Sequence, residues 1–368
     1  VTLVLLLVAA SAACQLLALA AAIRHLRKPD AAPQALAPVS ILKPVRGLDP
    51  HFREAIESHA AQDYPEYEVL FGVADLSDPA VPEIRKLIAD FPGRRIRLVH
   101  TSTAAPNGKV GTLIDLAKEA RYSLLLVNDS DVWVPADYLR RIVGPLEDPS
   151  VGLVTCLYRA SSDHWPGRCE AIGIATEFAP TVLLAPLFGV NEFGLGATLL
   201  FRAADLRAIG GFEALAGYVA DDYQIGLRIA RLGRRVVISK LAVETRLAGR
   251  SWGEVWRHQV RWARTIRVSR PGGYAGRVIA NAGLWSLVGL ASGAWWAALP
   301  LLVLRMVVGV VVGAGIVGSR DVLRRFYLMP FWDLFGLAVW FWGLAGSTVE
   351  WRGERLHLTR DGRIADVS

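Results

Sequence analysis

Apolar residues run without a charge from Val1 to Ile23 and stop at Arg24, His25, Arg27 and Lys28. A run of that length crosses a bilayer as a helix. A secretory signal carries its basic residues ahead of the apolar stretch, so this order predicts a retained anchor. The basic residues behind it place the following domain on the cytosolic side. A second apolar region fills the C-terminal third. Val278–Leu304 holds no charge, Met306–Ser319 continues it, and Tyr327–Val349 is interrupted only by Asp333. Trp285, Trp295, Trp296, Trp332, Trp340 and Trp342 suit the interfacial belts of such segments. Arg320, Arg324, Arg325 and a basic tail from Trp351 mark cytosolic stretches, which requires an even number of C-terminal crossings. One of the three segments is therefore expected to lie in the interface or to re-enter.

Between these ends the pattern changes. Short apolar runs at Val39–Leu42, Glu68–Val73, Ile96–Val99 and Ser123–Val127 read as strands, and Phe52–Ala61, Pro82–Phe91 and Val110–Ala120 show helical spacing. Strands alternating with helices at these lengths indicate parallel βαβ units and an α/β fold. Ligands of such sheets gather at the carboxyl ends of the strands. The expected organisation is an anchor at 1–23, a basic, Pro/Ala-rich linker at 24–38, a catalytic domain at 39–270, a membrane region at 271–350 and a tail at 351–368. Ala171–Val190 is apolar apart from Thr176, Glu177 and Thr181, and reads either as a buried helix or as an interfacial segment admitting a lipid.

Composition narrows the partners. The hydrophobic share of 53% is concentrated at the ends, and the net charge is +7. No nucleic-acid-binding module accompanies that charge, so anionic headgroups and a nucleotide diphosphate account for it. Cys14, Cys156 and Cys169 lack metal-ligand spacing and are odd in number, which predicts free thiols in a reducing compartment.

The strongest local signal is Leu124-Leu125-Leu126-Val127-Asn128-Asp129-Ser130-Asp131. Asp129 and Asp131, one residue apart at a strand end, can share a hard cation, Mg²⁺ or Mn²⁺, that bridges to diphosphate oxygens. A turn capping a helix near Pro135 explains the same residues without a ligand. Asp75 ends its own strand in GVADLSDP and can accept hydrogen bonds from a base or ribose. Lys109, in Asn107-Gly108-Lys109 before a helix, suits phosphate. Asp222 is the expected general base, because an acceptor hydroxyl is too weak an acid to ionise unaided. Asp221 beside it suits the start of a helix. His258, Arg261 and Trp262 share one face of a helix over Glu254–Ile266. Arg261 offsets phosphate charge and Trp262 walls a sugar pocket, whereas Arg257, Arg264 and Arg267 suit a helix lying on headgroups.

Taken in order, these motifs resemble the ceramide glucosyltransferase family of inverting enzymes and the related bacterial enzymes that glycosylate hopanoids. The likeness runs from the anchor through VSILKPVRG to WRGERLHL and DGRI. It implies a GT-A type nucleotide-sugar-binding domain and transfer of a sugar from a UDP-sugar donor to a lipid acceptor. It implies nucleotide contact by Asp75, metal and ribose binding by Asp129 and Asp131, and a catalytic base in Asp222. His258, Arg261 and Trp262 match the (Q/R)xxRW element, with His258 departing from its first position. The implied location is the bacterial inner membrane, with the catalytic domain in the cytosol and no obligate protein partner. A catalytically silent nucleotide-sugar-binding protein is the non-enzymatic alternative.

Overall fold

The computed structural model describes residues 2–29, 33–351 and 353–365. Val1, linker residues 30–32, and Arg352 and 366–368 of the tail lie outside the described residues. The chain divides into two compact units. A sheet unit comprises Pro29–Leu157 and Asn191–Arg246, and a helical unit comprises Val1–Lys28, Tyr158–Val190 and Leu247–Ser368. Residues 158–190 and 247–270 therefore group with the apolar ends rather than with the rest of the 39–270 segment.

The sheet unit is built on eight strands in the order β3-β2-β1-β4-β7-β6-β8-β5. Four of them, β1 (Val39–Pro44), β2 (Tyr67–Val73), β3 (Arg95–His100) and β4 (Leu124–Val127), run parallel, with Ile41 opposite both Val69 and Leu126. β1, β2 and β4 are buried along their whole length, the condition of parallel strands covered on both faces. β3 forms the edge and turns Arg95 and Arg97 outward, which discourages pairing with another chain. Helices Phe52–Ala60, Ala80–Asp90 and Gly108–Glu119 connect these strands, as the spacing predicts. The helix Gly108–Glu119 sits against bare backbone at Gly72, where a Cβ would lie 2.5 Å from Thr112 Cγ2. Leu42, Leu70, Leu113, Leu125, Leu199, Phe201 and Ile225 share one core.

The remaining strands depart from a purely parallel sheet. β7 (Leu199–Arg202) is antiparallel to β4 and to β6 (Val151–Ser161), and β5 (Val132–Trp133) is antiparallel to β8 (Arg235–Arg246). Apolar spacing reports which residues are buried and carries no strand direction, so this half was not legible in the pattern.

Among the described residues of the helical unit, four helical runs are long and apolar enough to cross a membrane: Thr2–Leu26, Trp165–Phe188, Trp295–Ile316 and Arg320–Leu344. The C-terminal third thus holds two runs of spanning length. The third apolar piece is the ten-residue helix Ala282–Ala291, roughly 15 Å long and half a hydrocarbon core. Inside this unit Arg305 and Asp333, 4% and 3% exposed, form an ion pair at 2.7 Å. Arg305 Nη1 also donates to the Thr176 carbonyl, within the π-helical turn Ile174–Phe178. A widened turn frees a carbonyl from the regular ladder, and here an arginine takes it. Arg264 and Arg267 bond to backbone carbonyls. Arg264 donates to Thr348 O, and Arg267 donates to Leu344 O and Gly346 O, just ahead of the hairpin β9 (Thr348–Trp351) and β10 (Glu354–His357). Cys14, Cys156 and Cys169 are free thiols.

Candidate active site

The apolar run of β4 ends at Asn128, and the chain turns over Asp129, Ser130 and Asp131 into β5. Five segments of the chain hold that turn. Asn128 Nδ2 donates to Tyr138 Oη at 2.9 Å and to Ala197 O at 2.6 Å. Ser130 Oγ donates to Asp49 Oδ2 at 2.8 Å, and Thr245 Oγ1 donates to Asp131 Oδ2. From below, Lys43 Nζ donates to Asp129 O at 3.0 Å. Lys43 is fully buried at the end of β1, and burial pulls its pKa down to about 7 against the pull of Asp131 and Asp129. Burial also raises the Asp131 carboxyl, helped by the charges of Asp129 and Asp49.

Lys109 joins this turn to the acidic pair. Asn107 caps its helix by accepting from Val110 N, while Asn107 Nδ2 donates to Tyr218 O at 2.8 Å. The lysine is thereby tied to the loop that leads into Asp221 and Asp222. Lys109 Nζ lies 2.7 Å from Asp129 Oδ1 and 3.4 Å from Asp221 Oδ2. Burial works against its charge, but Asp129 and Asp221 outweigh it and raise the lysine pKa. Asp221 and Asp222 open the helix Asp221–Arg231. Asp222 Oδ2 accepts from Gly196 N at 3.0 Å, and its Oδ1 accepts from Tyr223 N at 2.7 Å. Burial and then the Asp221 charge push Asp222 up to about 6, and burial raises Asp221 as well. Gly196 stands among these groups: a Cβ there would lie 3.1 Å from Asp129 Oδ2, 3.4 Å from Asp222 Oδ2 and 3.7 Å from Lys109 Nζ. Lys109, Asp129, Asp221, Asp222 and Gly196 thus form one constellation.

Asp75 stands past the end of β2, on the same carboxyl edge of the parallel strands as Asp129. Its carboxylate accepts from Ser77 N at 2.8 Å and Ser77 Oγ at 2.7 Å. Among the described residues it is not hydrogen-bonded to the constellation.

His258, Arg261 and Trp262 belong to the helical unit, on the helix Trp252–Ser269. That helix starts in a capping box between Ser251 and Glu254. The shared face holds for His258 and Trp262, whose rings lie 4.7 Å apart. Trp262 also packs on Phe178 at 5.6 Å and edge-on to Tyr158 at 6.5 Å. Behind His258 lies Glu170, completely buried, whose carboxylate meets His258 Nδ1 at 2.5 Å, Gln259 Nε2 at 2.9 Å and Arg250 Nη1 at 2.8 Å. Burial lowers the His258 pKa, with Glu170 opposing and Arg261 and Arg250 assisting.

Comparison with known proteins identifies the family and the fold. The family model of glycosyl transferase family 21 matches residues 2–364. The chain belongs to glycosyl transferase family 21. It is 26% identical over 220 residues to ceramide glucosyltransferase 1 of Caenorhabditis elegans, covering 59% of this chain and 46% of that one. It is 30% identical over 170 residues to the ceramide glucosyltransferase of Komagataella phaffii, covering 45% and 32%. The chain spans less than half the length of these curated relatives. Among solved structures it is similar to the mannosyltransferase PcManGT of Pyrobaculum calidifontis, in complex with GDP-Man and Mn²⁺. The TM-score is 0.55 at 19% identity, covering 91% of this chain and 99% of that chain. That likeness establishes the GT-A type fold.

Sequence reasoning about this family 21 chain passed over several residues of the site. Lys43 had a signal, a charge at the end of an otherwise apolar strand. Glu170 had a fainter one, an acid in a run that turns apolar at Ala171. Asp49 and Thr245 had none, since only the fold brings them to Ser130 and Asp131.

Proposed function

We propose that the chain is a membrane-embedded inverting transferase moving a sugar from a uridine diphosphate donor to the hydroxyl of a lipid. Its relatives support glucose as the sugar and ceramide as the lipid. The observation that carries the reading is Asp222. Its carboxylate is half-buried, fixed by two backbone N–H groups, raised to about 6, and set beside the lysine that pairs with Asp129. A lipid hydroxyl must lose its proton as the new C–O bond forms, and a carboxylate poised near neutrality is a competent base for that step. Asp222 takes the proton while the lipid oxygen bonds the anomeric carbon. The bond to the diphosphate breaks on the opposite face, so the configuration inverts. Lys109 supplies positive charge to the phosphates, and Asp75 contacts the base or ribose. Arg261 and Trp262 hold the leaving group and wall the acceptor, as the family resemblance implies.

Asp129 and Asp131 are the residues that would hold Mg²⁺ or Mn²⁺, whose chemistry is to neutralise charge on the departing diphosphate. The donor set fits. Asp129 is 42% exposed, the Asp131 carboxyl is raised by burial and its acidic neighbours, and Lys109 Nζ already stands as a cation on Asp129. Among the described residues no three His, Cys, Asp or Glu groups form a metal cluster. The remaining ligands would then be phosphate oxygens and water, the usual coordination of Mg²⁺ by one or two carboxylates. The basic residues behind the first helix support a cytosolic sheet unit.

The test is expression of wild type and Asp222→Asn in a lipid-rich bacterial host, with total lipids compared by mass spectrometry. A glycolipid found only with wild type supports the reading, and its mass increment separates hexose from N-acetylhexosamine. Purified wild type that neither hydrolyses nor transfers from a UDP-sugar overturns it.

A further inference from the structure

The carboxylate of Glu170 gathers three donors from one stretch of chain. Oε1 accepts from Gln259 Nε2 and lies 2.5 Å from His258 Nδ1, while Oε2 accepts from Arg250 Nη1. All four residues belong to the helical unit, and Glu170 has no exposed surface. A buried carboxylate facing an arginine is ionised and offers only acceptors. The short contact to the imidazole therefore requires the hydrogen on Nδ1. Arg250 Nη1 also lies 3.1 Å from Nδ1 and gives a hydrogen to the same carboxylate; of the two contacts to Nδ1 the carboxylate's is the closer, at 2.5 Å, and it decides where the ring proton sits. The Trp262 ring, 4.7 Å away, closes one side of the imidazole, and its side chain keeps 18% of its surface open. Among the described residues no hydrogen bond reaches Nε2.

We propose that Glu170 is the positioning residue of the segment His258–Trp262, committing His258 to the Nδ1–H tautomer so that Nε2 accepts a hydrogen bond from a substrate hydroxyl. The hydroxyl rests on the transferase reading above, and the tautomer does not. The charged groups around the ring are Glu170 on the helix Trp165–Gly173, Arg250 ahead of its own helix and Arg261 within it. Burial and the two arginines outweigh the carboxylate, so the ring is neutral at pH 7. A Gln or Arg at this position can donate to a phosphate oxygen. A neutral His258 held by Glu170 cannot, and its free nitrogen matches a hydroxyl of the sugar or the lipid.

Protein labelled with ¹⁵N-histidine, reconstituted in lipid nanodiscs above neutral pH, reports the tautomer through its ring-nitrogen shifts, with His258 assigned by its loss in His258→Gln. A protonated Nδ1 and a bare Nε2 are expected. A bare Nδ1, or a doubly protonated ring, overturns the proposal. Glu170→Gln is expected to convert the signal to Nε2–H or a mixture. Should that variant not fold, Glu170→Asp, which keeps the charge and retracts it, is expected to lower kcat by about tenfold or more with donor KM nearly unchanged. Equal loss of donor affinity places the hydroxyl on the donor sugar rather than on the lipid, and unchanged kcat and donor KM overturn the hydroxyl assignment. A wild type with the expected tautomer and no transferase activity sinks the transferase reading while leaving the role of Glu170 standing.

Discussion

The two units place apolar and charged side chains in opposite ways. In the sheet unit the large apolar residues turn inward, and among its described residues only Leu48, Leu76 and Leu232 stand out as exposed. The helical unit leaves Leu3, Leu6, Trp295, Val303 and Phe341 more than 60% exposed while enclosing Glu170, Arg305 and Asp333. An apolar surface of that kind is unfavourable in water and neutral in hydrocarbon, so one chain is built for two solvents. The buried charges differ in the same sense. Those of the helical unit are closed pairs, as Arg305 with Asp333 shows. The charges of the site in the sheet unit sit at the end of β4 and the start of the helix Asp221–Arg231, where Asp129 stays half open and Asp222 is held ready rather than neutralised. Closed pairs tie helices together, and open ones are available to a ligand.

Removing a charge from each unit should separate the two roles. Asp222→Asn is expected to lower turnover by about 10²–10⁴-fold, the range of a lost general base, with donor binding preserved. Initial rates and donor titration of the same preparation check this. Parallel loss of binding would mean that Asp222 holds the donor instead. In the helical unit, Arg305→Leu strands Asp333 without its partner, and the expected loss is about 3–5 kcal/mol of stability. Unfolding in nanodiscs followed by tryptophan fluorescence reads it. Arg305→Leu combined with Asp333→Leu should recover most of that loss, since a packed apolar pair replaces a desolvated ionic one. If the double variant is as unstable as the single, the pair is more than a tie.

A second way to sharpen the contrast is pH. Asp222 acts as a base only when ionised, and its folded pKa of about 6 lies above the ordinary 3.8. The rate should therefore fall roughly tenfold per pH unit below about 6. Its contribution to stability has the other sign. A carboxyl whose pKa is raised by folding destabilises most above the folded value, and that penalty fades as pH drops from 6 toward 3.8. Between those values this group loses activity while its own burial becomes easier. A pH–rate profile with its acid limb near 4 instead would show that Asp222 is not held in the buried setting described.

The sheet unit was more legible than the helical one for physical reasons. The strands β1 to β4 and their helices carry the periodicity of local burial, and Asp129 and Asp131 sit where β4 ends, while Asp222 opens a helix of its own. Lys43 and Glu170 matter through partners far off in sequence. Glu170 meets His258 across 88 residues, and no local pattern encodes such a pairing. Direction was lost for the same reason: β7 is antiparallel to β4, yet its apolar run reads like any other. In the apolar ends, hydropathy located the segments but not their breaks. The turn Ser292–Ala294 divides the uncharged stretch that begins at Val278, separating a ten-residue helix from one of spanning length.

The smallest expected effect concerns an arginine on the outside of the helical unit. Arg267 ends one helix, Trp252–Ser269, and donates to Leu344 O and Gly346 O, where the helix Met329–Leu344 stops. The last carbonyls of a helix lack intrahelical partners, and a cation there meets both their lone pairs and the negative end of the helix dipole. Being exposed, the contact is worth only about 0.3–1 kcal/mol. Arg267→Ala should lower stability by that amount, and Arg267→Lys should keep the charge term while losing the two-pronged fit. The alternative, an arginine serving anionic headgroups, predicts unchanged unfolding with weaker, more salt-sensitive binding to anionic vesicles. That outcome would move Arg267 from the ties between helix ends to the lipid-facing role. It would also show that even the exposed charges of this unit are organised by the bilayer rather than by the fold.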